Sequence, residues 1–193
     1  NTVFNKAGQM FNTAFGFAKN IGVKTAIGTE LPLGIEAKGP EVDAAWVRGM
    51  PPQLQSRLQS MGKNPSDPAV VKDLYKGIFE RIMKTHHLDY FWLWSYEVWA
   101  RYGVNNRQRK AMKNDMNLAM EAANELNVPF TLGHAGWMLG DTDNPAFFDN
   151  HLPKDYPVYG LWDEADGFEE VSAARKKWAA TWLEEDWGLV QPQ

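Results

Sequence analysis

Glu97 stands in a setting suited to proton transfer. It follows the run Asp89-Tyr90-Phe91-Trp92-Leu93-Trp94-Ser95-Tyr96 and precedes Val98 and Trp99. A carboxyl set among indoles tends towards a raised pKa, which a general acid needs. Flat aromatic faces also suit the weakly polar face of a pyranose. Together they fit a sugar ring held with an acid at its glycosidic oxygen. The plainer alternative is a buried aromatic strand whose carboxylate caps a helix or pairs with Arg101.

Other residues could share that chemistry. Glu30 closes the apolar run Val23 to Glu30 and precedes Leu31-Pro32. At a strand mouth it would come within reach of Glu97. Paired carboxyls about 5–5.5 Å apart give retention at the anomeric carbon, and about 6.5–9.5 Å gives inversion. A capping or ion-pair role is the alternative for Glu30. Asp163 and Glu164, within Leu161-Trp162-Asp163-Glu164-Ala165-Asp166-Gly167, offer a substitute carboxylate. Against that, the Asp-Gly pair signals a turn with solvated acids.

His134 and Trp137 lie in the run Phe130 to Trp137 (FTLGHAGW). His134 could donate to a substrate hydroxyl or a catalytic carboxylate, or be a satisfied structural histidine. Trp92, Trp94, Tyr96, Trp99, Trp137 and Trp162 are candidate sugar platforms, with at least one of the tryptophans expected in plain core. Strand alternation puts Trp92, Trp94 and Tyr96 on one face, and Phe91, Leu93 and Ser95 on the other. His86 and His87 fall at a helix end, where a cationic ring suits the dipole. His151 falls in a loop with no case for chemistry. A metal-dependent sugar isomerase using Glu97, His134 and Asp163 as ligands is a rival, but the chain has no HxH or HxxxH pair. Two carboxylates need no cofactor.

Elements must position these groups. Ala7, Phe11, Phe15 and Ala18 predict a helix over 4–19, with Met10, Ala14 and Phe17 widening its stripe and Gly22 as its stop. Strands are expected over 23–30, 89–96, 130–137 and 158–163. Ser66-Asp67-Pro68 opens a helix whose inward stripe reads Val70, Leu74, Ile78 and Ile82. Gln53 to Met61 forms a small helix in the long Pro-bearing connection. Asn105 or Asn106 caps a helix running to Leu126, with Met112, Met116, Ala119 and Ala123 inward. A last helix is expected over 169–185, with Val171, Trp178 and Trp182 inward.

The chain's 193 residues, 44% hydrophobic with nine tryptophans, suffice for one well-packed domain. A net charge of -4 and no dense basic run argue against nucleic acid. No apolar run approaches a bilayer span, and zero Cys excludes disulfides and thiolate catalysis.

Short apolar strands alternating with helices predict an α/β fold with a parallel sheet. No GxGxxG or GxxxxGK[ST] turn follows a strand, which disfavours an open nucleotide-binding sheet. Reactive residues at successive strand ends favour part of a (β/α)8 barrel. A complete barrel takes about 250 residues, so the expectation is about half a barrel as a single domain. The remainder would come from a longer chain or a second copy.

At Gly28-Thr29-Glu30-Leu31-Pro32, at Tyr90 to Glu97 and at Gly133 to Gly140, the sequence resembles barrel-type glycoside hydrolases of bacterial polysaccharide degradation. The resemblance runs from about Gly22 to the C-terminus and covers the later strands of such a barrel. It implies a glycosidase acting on a poly- or oligosaccharide. Glu30 would be the acid/base and Glu97 the nucleophile or second carboxylate. Thr29 precedes Glu30 where retaining members carry Asn. A carbohydrate-binding barrel without turnover is the non-enzymatic alternative.

Overall fold

The computed structural model describes residues 2–31, 33, 50–95, 105–136, 147–161, 177–180 and 190–192. Along the chain run α1 (Thr2–Asn20), β1 (Ala26–Leu31), α2 (Pro52–Ser60), α3 (Pro68–Thr85), β2 (Tyr90–Ser95) and α4 (Asn106–Leu126). Then come β3 (Thr131–Gly136), β4 (Val158–Leu161), β5 (Lys177–Ala180) and β6 (Val190–Pro192). The fold is α/β.

Local chemistry sets the helix ends. Gly22 takes φ +80 after α1, and the Val23 N–H reaches back to the Ala18 carbonyl at 2.9 Å. Asp67 accepts from the Ala69 N–H and Pro68 fills the first turn of α3. Asn105 and Gln108 form a reciprocal capping box at the start of α4, and Asn127 ends it in the left-handed region at φ 47.

The strands lie in one sheet in the order β1-β2-β3-β4-β5-β6. The pairs from β1 to β5 are parallel, and β6 pairs antiparallel with β5. Parallel crossovers are right-handed, so an order without reversal returns each helix to the same face. Accordingly α3 and α4 bury Tyr75, Phe79, Met112, Met116 and Ala119 against Phe91, Leu93, Leu132 and Val158. Phe79 meets Phe91 and Phe130 edge-on at centroid distances of 5.0 and 5.6 Å.

Two expectations change. Lys177–Ala180 is a strand, not the middle of a helix over 169–185. These residues bond to β4 on one edge and β6 on the other, and that pairing overrides the helical propensity of an Ala- and Lys-rich run. The deepest stripe of α3 is Val71, Tyr75 and Phe79, with Val70 and Ile82 also buried. Leu74 and Ile78 are half-buried, so the helix is rotated from the expected stripe towards its bulkier aromatics.

Asp89 ties the N-terminal ends of β1 and β2 together. Its carboxylate accepts from the Thr25 N–H and from Lys24 Nζ, each at 3.0 Å. Burial alone would raise its pKa. The Thr25 N–H, the Lys24 ammonium and the Thr25 hydroxyl outweigh burial and hold the carboxyl below its ordinary range. Its stabilisation is therefore present above the pKa of unfolded Asp and is lost as pH falls through the lower folded value. Asp89→Ala is expected to lower stability by about 1–3 kcal/mol at neutral pH. In urea melts, the gap from the native protein narrows once pH falls below about 3.9.

Candidate functional site

The register places three groups of side chains on the sheet face opposite α3 and α4. Gly28 pairs with Trp92 and Glu30 with Trp94. Across the other edge of β2, Tyr90 pairs with Thr131, Trp92 with Gly133 and Trp94 with Ala135. Neighbouring strands lie about 4.8 Å apart, so Glu30 and Trp94 are side by side at the C-terminal end of the sheet. That end carries the chemistry in parallel α/β proteins. Glu30 is exposed and Trp94 half-buried.

Below them Trp92 is 7% exposed and stacks on Tyr90 at 5.7 Å with an interplanar angle of 11°. The glycine at 133 makes room for this indole: a Cβ there would lie 2.4 Å from Trp92 Cζ3 and 2.7 Å from the Pro157 carbonyl oxygen. Trp92 is thus a floor of the face, while Trp94 and Glu30 form its reachable edge. A carboxylate beside a partly exposed indole can accept from sugar hydroxyls while a ring lies on the aromatic face.

His134 lies elsewhere. It pairs with Leu93, which puts it on the helix-facing side of the sheet. It is fully buried, and its ring centroid is 6.3 Å from that of Phe148. The structure therefore separates His134 from Glu30, Trp92 and Trp94. Glu97, Tyr96, Trp99, Trp137, Trp162, Asp163 and Glu164 lie outside the described residues. Among the described residues, no group of three His, Cys, Asp or Glu side chains is arranged to hold a metal ion.

His86 is not the cationic helix cap that its position suggests. Its ring stacks on Phe11 at 5.0 Å and meets Phe15 edge-on at 5.9 Å. Burial pushes its pKa below the ordinary imidazole range, so the neutral ring is favoured. His151 is also lowered by burial and lies 3.3 Å from the Lys113 carbonyl oxygen.

A polar cluster behind β1 escaped the sequence reading. Asp115 is 3% exposed, on the inner face of α4 between Met112 and Ala119. It accepts from the Leu33 N–H at 3.0 Å and from the Tyr75 hydroxyl. Burial, then the Asp115 carboxylate, push the Tyr75 phenol well above its ordinary pKa. Leu33 also accepts at its carbonyl from the Met50 N–H at 2.9 Å. This cluster fixes the chain just after Glu30. The signal was an acid on an otherwise apolar stripe, which demands a buried partner.

No protein-family model, no curated protein and no solved structure matches this chain.

Two measurements check this arrangement. Gly133→Ala is expected to displace the Trp92 indole, costing about 1–3 kcal/mol by overpacking, with a shift in tryptophan emission. Asp115→Ala is expected to cost about 3 kcal/mol or more, because the buried Tyr75 hydroxyl and the part-buried Leu33 N–H lose their acceptor. Tyr75→Phe removes only one donor and is expected to cost about 1–2 kcal/mol in the same denaturant melts.

Proposed function

We propose that this chain carries part of a (β/α)8-type carbohydrate-active domain, with Glu30 as an acid/base carboxylate and Trp94 as a sugar platform. The observation that carries the reading is the register pair Glu30 and Trp94, on the sheet face opposite the helices, at the C-terminal end of parallel strands. The unreversed order of the parallel strands β1 to β5 supports a barrel-like arc over a doubly wound sheet, whose ligands sit where the order reverses. Glycosidic cleavage is the chemistry that a carboxylate beside an indole suits best. In it, Glu30 protonates the departing oxygen. Glu97 enters from sequence alone as the second carboxylate, serving as nucleophile or as base for water.

The test uses reducing-end release from a polysaccharide panel and hydrolysis of 4-nitrophenyl glycosides. Glu30→Gln is expected to lower turnover by about 10²–10⁴-fold, the usual contribution of a general acid. A loss below about tenfold removes Glu30 from the mechanism. Trp94→Ala is expected to raise KM more than it lowers kcat. Retention of glycans on an array without any hydrolysis would instead identify a binding domain.

A further inference from the structure

Helix α1 has two apolar faces, and only one is used inside the domain. Gly8, Phe11 and Phe15 pack on the end of α3: the Phe11 and Phe15 rings flank His86. A Cβ on Gly8 would lie 3.3 Å from Thr85 Cγ2. The other face is Val3, Ala7, Met10, Ala14, Phe17 and Ile21. Its large members stay in solvent, with Val3 83%, Met10 59%, Phe17 65% and Ile21 59% exposed. Ile21 extends the last turn, since its N–H bonds to the Phe17 carbonyl at 3.2 Å. These positions advance by alternating steps of four and three, the spacing of a helix–helix seam.

We propose that this seam pairs with the same seam of a second copy of the chain, antiparallel, about a two-fold axis near Asn12. Side-chain size supports the alignment. Val3 then faces Ile21 of the second copy, Ala7 faces Phe17, and Met10 faces Ala14. Both inner pairs set a large side chain against a small one, so the helices interdigitate without a void. A parallel alignment would set Ala7 against Ala7 and Phe17 against Phe17, leaving a hole and a clash.

Charge does not oppose it. Helix α1 contains Lys6 and Lys19 and no acid. In the antiparallel alignment Lys6 flanks Asn20 of the second copy, and Lys19 points away from the seam. The contact is isologous, as a two-fold dimer requires. Its size sets its strength. At about 1.5 Å per residue the helix is roughly 28 Å long. A seam of that length buries on the order of 1,000 Å², the lower end of specific interfaces, which implies a concentration-dependent dimer. Two lysines are few for a helix that lies on an anionic bilayer. This pairing stands apart from the carbohydrate reading.

Sedimentation velocity of the full chain from about 1 to 100 µM is expected to show a monomer–dimer equilibrium. Met10→Glu and Phe17→Glu alter exposed side chains only, so each should keep the native far-UV spectrum while weakening dimerisation at least tenfold. The chain has no Cys, so engineered thiols report register. A mixture of the Met10→Cys and Ala14→Cys variants is expected to cross-link more than either variant alone. A monomer across the whole range overturns the proposal. So does cross-linking of Met10→Cys chiefly with itself, which would mean parallel helices. A monomer that co-sediments with phosphatidylcholine–phosphatidylserine vesicles also overturns it, putting a lipid surface in the place of the second copy.

Discussion

Strand β2 bonds to β1 along one edge and to β3 along the other, and its side chains alternate between two different tasks. Phe91 and Leu93 enter the helix-packed core. Trp92 and Trp94 go to the opposite face. A slip of one residue would exchange the two sets and drive indoles into space shaped for Phe91. The neighbours enforce the register. Gly133 leaves the hollow that Trp92 fills, and Phe79 with Phe130 closes around Phe91. The position of Glu30 beside Trp94 follows from that register.

Much of this was legible because local chemistry and tertiary packing agree. Asp67-Pro68, the Asn105–Gln108 box and Gly22 mark helix ends that the structure keeps. The apolar runs around 26–31, 90–95 and 131–136 are strands, as their composition implies. Residues 177–180 are not legible as a strand, because Ala and Lys favour a helix in isolation. Only the neighbouring strands β4 and β6 make extended backbone the better solution there. The aliphatic residues alone do not fix the α3 stripe, because Tyr75 and Phe79 bury more surface.

The candidate site was legible in kind and less so in arrangement. Residue type alone singled out Glu30 and Trp94, and alternation placed Trp92 with Trp94. Which β1 residue stands beside which β2 residue depends on register, a property of the pair of strands rather than of either one. His134 shows the same limit: it sits in the run Gly133-His134-Ala135-Gly136-Trp137, but its face is decided by alignment with Leu93. Asp115 could have been suspected from its apolar stripe. Its partners Leu33 and Tyr75 are far away in sequence, and no spacing rule reaches them.

Leu33 has a further consequence. Its amide hydrogen is given to helix α4 and its carbonyl receives the hydrogen of Met50, so the chain departs and returns through a single knot. Bonds outside the strand itself therefore anchor the exit of β1, from Leu33 to the inner face of α4 and from Met50 to Leu33. Strand β1 is thus fastened at both ends, by Asp89 at Thr25 and by Asp115 at Leu33, with Glu30 just inside the second clasp.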